Sequence, residues 1–150
     1  MSDELCPVEL RGLAEDRLQF EFVLLVDGRG RRLPIWIGKC EAIAIQLKLQ
    51  GLGVARPMTH DLLCNSVERL GGRVTRLLID DFWQSMFYAK LCLEVEGSTE
   101  EMQVDCRPSD GLAMAVRLGV PILVRDDVLE EGCIPAHLFD EPDEDVDDTR

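Results

Sequence analysis

The sequence predicts a single α+β domain, with about three helices packed on a mostly antiparallel or mixed sheet. Three observations predict it. Apolar residues alternate with period two in the first and middle thirds of the chain, the period becomes helical at three places, and no Gly/Ser/Pro-rich linker divides the 150 residues. A hydrophobic content of 46% is enough for one buried core at this length.

The elements follow in order. A short strand around Val8 to Leu10 is expected first. Gln19 to Val26 then reads as a strand with Phe20, Phe22, Leu24 and Val26 on one face. Gly28-Arg29-Gly30 turns it, and Arg31 to Ile37 returns; Pro34 puts that return at a sheet edge or strand start, because proline cannot donate to a ladder. From Lys39 to Gln50 the period is helical, with Ala42, Ile45 and Leu49 on one stripe and Ile43 and Leu47 beside it, which predicts a mostly buried helix ended by Gly51. A second helix is expected from Thr59 to Leu70 with Leu63, Val67 and Leu70 inward, stopped by Gly71-Gly72. Strands follow over Arg73–Ile79, Ser85–Glu96 (Phe87, Ala89, Leu91, Leu93 and Val95 alternating) and Glu101–Cys106, the last with Met102, Val104 and Cys106 inward and Asp105 on the polar face. A third helix over Ser109–Leu118, a parallel-type strand over Val120–Val124 and a short helical segment over Asp126–Glu131 complete the order.

Charge divides the chain into residues 1–139 and an acidic tail, 140–150, whose composition is that of a disordered, solvating segment. The net charge is −13; the tail accounts for −6, so residues 1–139 still carry −7, the opposite of a non-specific nucleic-acid binder. No run of about 18 apolar residues is present to span a membrane. Met1 to Leu10 shows neither the basic nor the apolar region of a signal peptide. The six cysteines form no CxxC pair and no zinc-like spacing, so reduced thiols and a cytoplasmic protein are expected.

Two segments resemble each other. Both Arg56-Pro57 and Arg107-Pro108 lead into an aspartate (Asp61, Asp110) and an apolar helical pattern closing on Leu-Gly, which raises an internal duplication. Thr59 and Ser109 are favoured N-cap types, and the aspartates would then lie in first helical turns, where the helix dipole favours a carboxylate by about 0.3–1 kcal/mol. Capping leaves His60, the strand-end Asp105 and the two arginines unexplained. Were the two helix starts to meet, His60, Asp61, Asp105 and Asp110 could activate water or hold a divalent cation such as Mg or Mn, while Arg56 and Arg107 bound phosphate. Glu41, at the start of the first helix, either joins that cluster or caps its helix. Ser109 has no neighbouring base that would make it a nucleophile. Arg29, Arg31 and Arg32 read as a solvated hairpin tip, His137 as an exposed residue, and no phosphate-binding glycine loop is present.

LPIWIG (33–38) with Glu41-Ala42, RPMTHDLL (56–63) and DCRPSDGLAMAVR (105–117), in this order and spacing, resemble the bifunctional nuclease domain family from Val8 to Glu131. The resemblance implies an α+β domain that usually self-associates into a homo-oligomer, with nuclease activity on DNA and RNA in some members. Carried over by position, its motif residues are Glu41, Arg56, Thr59, His60, Asp61, Asp105, Arg107, Ser109 and Asp110. Gly111 stands where the family usually has alanine, a substitution that softens the helix by up to about 1 kcal/mol. The expected function is hydrolysis of DNA or RNA phosphodiesters, metal-assisted, with His60, Asp61, Asp105 or Asp110 as base and Arg56 and Arg107 on phosphate, Ser109 and Glu41 supporting them. The alternative is a non-enzymatic oligomeric binding or regulatory module whose Arg/Asp/His cluster is a structural ionic network.

Overall fold

The computed structural model describes residues 3–135, so His137 and the acidic segment from residue 140 lie outside the described residues. Alternating apolar residues form β1 (Leu5–Glu15), β2 (Glu21–Asp27) and β3 (Arg32–Trp36), and the helical patterns form α1 (Lys39–Leu49) and α2 (Thr59–Arg69). A second three-strand meander, β4 (Gly72–Trp83), β5 (Met86–Val95) and β6 (Met102–Cys106), leads into α3 (Pro108–Leu118); β7 (Ile122–Arg125) and α4 (Asp126–Gly132) follow.

The strands make one sheet in the order β3-β2-β1-β7-β4-β5-β6. Every pairing is antiparallel except β4 with β7, so the sheet is mixed, and the Val120–Val124 expectation of a parallel partner holds on one side of β7 only. Pro34 lies on β3, an edge strand, where its missing N–H costs no ladder bond. The sheet is strongly curled. A Cβ built on Gly132 at the end of α4 would lie 2.7 Å from Leu33 of β3 and 2.9 Å from Phe87 of β5, yet five strand spacings of about 4.8 Å would separate those strands in a flat sheet.

Each meander runs directly into a helix: β1-β2-β3 into α1, β4-β5-β6 into α3. This topological repeat pairs α3 with α1, whereas the two Arg-Pro segments belong to α3 and α2. Arg107 directly follows a strand, while Arg56 sits in the connection between two helices, so the sequence similarity does not mark equivalent places in the fold.

The core is built on the concave face by Val23, Leu25, Leu33, Ile45, Leu77, Ile79, Leu112 and Leu129, all fully buried. Three facing expectations are corrected. On β2 Val23 and Leu25 are fully buried and Phe22 of the other face is buried too, while Phe20 is exposed and Leu24 and Val26 half-buried, because the run is apolar on both faces. On α1 the buried residues are Ala42, Ala44 and Ile45, with Ile43 and Leu49 exposed, so the helix is not mostly buried. On α2 only His60 is buried, and Leu70, expected inward, is 84% exposed. Val67 is half-buried against the core beside Gly72 of β4, Leu63 is exposed, and both line an open cavity. Met102 and Val104 of β6 are likewise exposed, because no element covers that edge strand.

Gly111 is more than a soft spot. A Cβ there would collide with Leu77 and come within 3.1 Å of Cys106 Sγ, so its absence lets α3 press against β4. Leu77 is fully buried and cannot swing aside into solvent.

Candidate active site

Three helices begin at the same place. Lys39 is the first residue of α1 and Glu41 its third; Thr59 begins α2 and His60 is second; Pro108 begins α3 and Asp110 is third. The residues flanking these starts are Gly38, Met58 and Arg107, not the expected Thr59 and Ser109, and no side chain of theirs caps a helix. Proline explains the shift at α3: its fixed φ suits the first helical position, which moves the cap back to Arg107.

His60 Nε2 meets Asp110 Oδ1 at 3.0 Å, joining the two helix starts across fifty residues of sequence. Arg107 donates from Nε to Asp110 Oδ2 at 2.9 Å and from Nη2 to Glu41 Oε1 at 2.7 Å, leaving Nη1 uncommitted among the described residues. His60 is buried, Asp110 and Glu41 are half-buried, and Arg107 is largely exposed at the rim. Burial of Asp110 opposes its ionisation, but the hydrogen bonds from His60 and Arg107 outweigh it and hold its carboxyl below the usual aspartate range. An ionised Asp110 can only accept, so Nε2 of His60 is the donor in this contact and Nδ1 is the ring nitrogen turned away from it.

The other expected members stand outside this bonded cluster. Asp61 faces away from His60: its Oδ2 accepts the Met58 N–H at 2.9 Å and its Oδ1 accepts from Arg117 Nε at 2.5 Å. The Met58 N–H first, then Arg117, holds its carboxyl below the ordinary value. Arg117 also donates to the carbonyls of Ala44 and Ala113, both at 3.2 Å, so it binds α1, α2 and α3 together beneath the site. Asp105 is exposed on β6 and paired in register with Lys90, on the face opposite Cys106, yet it still lines the cavity shared by His60, Arg107 and Asp110 without bonding to them. Ser109 is buried and lines a separate groove with Trp36, Met86 and Phe87. Arg56 is exposed and pairs with nothing among the described residues.

Sequence reasoning missed Arg117, although it lies seven residues after Asp110 and hence on the same stripe of α3. It also missed Gly38. A Cβ there would collide with Glu41 Oε2, so the glycine makes the space in which the Glu41 carboxylate reaches Arg107. The basic hairpin was misread as well. Arg31 Nε reaches Asp27 Oδ2 at 2.8 Å and its Nη2 reaches Asp126 Oδ1 at 2.9 Å, forming a buried ionic network rather than a solvated tip.

Beside the charged cluster opens a cavity of about 730 Å³, walled by Leu63, Val67, Val74, Leu91, Leu93 and Met114. Cys106 on its floor is no nucleophile: burial first, then the Asp105 charge, raises its thiol to about 11. No three His, Cys, Asp or Glu groups among the described residues converge as a metal-binding set.

An α+β domain that gathers a His–Asp pair, an arginine and a glutamate at three helix starts, beside an open cavity, defines the class. The chain belongs to the bifunctional nuclease domain family, whose model matches residues 23–137. It is 39% identical over 141 residues to an uncharacterized protein of Mycobacterium tuberculosis, covering 93% of this chain and 82% of that one. It is 30% identical over 116 residues to bifunctional nuclease 2 of Oryza sativa subsp. japonica, covering 76% of this chain and 36% of the plant protein. With bifunctional nuclease 1 of Arabidopsis thaliana the identity is 28% over 99 residues, 65% of this chain and 30% of the relative. The chain thus spans about a third of the length of these plant nucleases.

Proposed function

We propose that the chain hydrolyses phosphodiester bonds of DNA or RNA at the His60–Asp110–Arg107 cluster. The observation that carries this reading is the 3.0 Å His60–Asp110 contact at the meeting of three helix N-termini. Asp110 orients the imidazole, Nδ1 of His60 takes a proton from water, and the resulting hydroxide attacks phosphorus; the P–O ester bond on the opposite side breaks, and the leaving sugar oxygen takes a proton from solvent while His60 returns its own. The uncommitted Nη1 of Arg107 holds a phosphate oxygen and stabilises its developing charge. The overall acidity opposes phosphate binding, but each helix N-terminus presents roughly half a positive charge, which offsets it locally.

A divalent cation such as Mg or Mn does not fit this donor set well. Both Asp110 oxygens and one Glu41 oxygen are engaged by His60 and Arg107, and Asp105, though it lines the same cavity, does not converge with them as a metal-binding set among the described residues. The competing reading is a binding or regulatory module in which the cluster is a structural network; it is favoured by the commitment of Arg107 to two carboxylates. Self-association into a homo-oligomer is supported by the exposed Leu62, Leu70 and Met102, and a cytoplasmic setting by six free thiols.

Cleavage of single-stranded DNA and of RNA, assayed with magnesium, manganese or EDTA, tests the reading. His60→Ala and Asp110→Ala are each expected to abolish cleavage while the protein stays folded. Undiminished cleavage in both variants removes the site. Absence of cleavage by the purified wild type under every metal condition, with a large drop in melting temperature in Asp110→Ala, establishes the structural module instead.

A further inference from the structure

The cavity is larger and less polar than phosphodiester hydrolysis needs. Its charged groups are Glu41, His60, Asp105, Arg107 and Asp110, and contacts through Arg107 and Asp110 gather Glu41 and His60 at one end. From there Leu91 and Leu93 of β5 and Val74 of β4 form an apolar floor, with Leu63 and Val67 of α2 on one side and Val104 of β6 on the other. A phosphate has no partner along such walls, and a hydrated phosphate lodged there would lose its water. The volume falls in the range of sites that enclose a whole small ligand.

We infer that the apolar part of this cavity seats one unpaired nucleobase of the strand whose phosphate lies at Arg107. The inference rests on the proposed phosphodiesterase reading and adds the class of substrate: nucleic acid that is single-stranded at the bound step. A nucleotide has the matching form, a flat, weakly polar ring carrying its anion at one end. The walls suit ring faces, since base contacts with apolar and aromatic side chains tolerate any base. A base still paired in a duplex cannot enter between α2 and β6 without leaving its partner.

Binding tests this apart from catalysis. The probe is a fluorescent decathymidylate, titrated in EDTA into full-length His60→Ala protein, against a decamer of the same backbone with abasic sites and against the decathymidylate annealed to its complement. Binding of the base-bearing single strand about tenfold or more tighter than of the other two is expected. Leu63→Trp and Val104→Trp fill the cavity from opposite walls at positions each 42% exposed, so both are expected to fold. In both, the preference for bases over abasic sites is expected to fall to about twofold or less. Equal binding of the abasic and base-bearing strands overturns the inference, as does unchanged discrimination in both filled variants with wild-type melting temperatures. The two readings fail separately. Base-dependent binding without cleavage by wild type leaves the base site and removes the nuclease, and cleavage without base discrimination does the reverse.

Discussion

Asp61 and Asp110 occupy the same third position of their helices and do different work. Asp110 holds His60 and Arg107 at the cavity, while Asp61 points into the junction of three helices and holds Arg117. Asp61→Ala leaves the buried Arg117 guanidinium with only backbone carbonyls as partners, and one-sided removal from such a pair costs about 3 kcal/mol. Its expected signature is a large fall in denaturation midpoint with cleavage per folded molecule retained; Asp110→Asn is expected to do the opposite. Equilibrium urea unfolding beside an activity assay separates the two. The acid limb of stability follows from the same carboxylates. Asp27, Asp61, Asp110 and Asp127 are all held below the ordinary value of 3.8, so each contributes fully above that value and loses its contribution as pH falls through its lower folded value. The melting temperature should therefore change little between about pH 7 and pH 5 and drop steeply below about pH 4. A decline beginning near neutrality would contradict these assignments.

At the scale of elements, the site depends on how three helix starts are spaced, and Gly38 sets one of those spacings. Its backbone, φ −72° and ψ 158°, is open to any residue, so the glycine is needed for room alone. In Gly38→Ala the methyl displaces the Glu41 carboxylate, which releases Nη2 of Arg107 without straining the chain. Expected is a several-fold rise in KM for a single strand with little change in melting temperature, and Glu41→Gln should behave alike. If Gly38→Ala instead unfolds the protein and leaves KM unchanged, Glu41 does not position Arg107. Element types and order were legible in the sequence because turn glycines and changes of period survive in it. The facing of β2 and α1 was not, because Phe22 to Val26 is apolar on both faces and Ala42 to Ile45 is apolar almost all round. Within the site, His60 and Arg107 were legible as chemistry left over after capping, whereas Asp110 and Glu41 each also had a capping explanation. Asp61 and Ser109 were grouped with them because sequence proximity says nothing of azimuth: one position along a helix turns a side chain by about 100°.

For the molecule as a whole, the question is how an acidic chain holds a polyanion. The net charge of −13 repels a strand over roughly a Debye length, about 10 Å at 0.1 M salt. In the proposed complex the exposed Arg107 is the cluster's phosphate contact, so counterion release gives a shallow attractive slope of about −0.7 in log K against log salt for a single strand. Repulsion from the rest of the chain weakens as salt rises and flattens that slope further. Seven of the acids lie between Asp140 and Asp148, so this stretch carries much of the repulsive charge. Replacing all seven by their amides in the full-length chain should raise affinity for decathymidylate several-fold at low salt. The two proteins should converge as salt approaches about 1 M, where the screening length is only about 3 Å. The variant's slope should therefore be the steeper, since it gains most where repulsion was strongest. Parallel salt dependences, displaced by a constant factor, would mean that the tail acts by contact and not by its field.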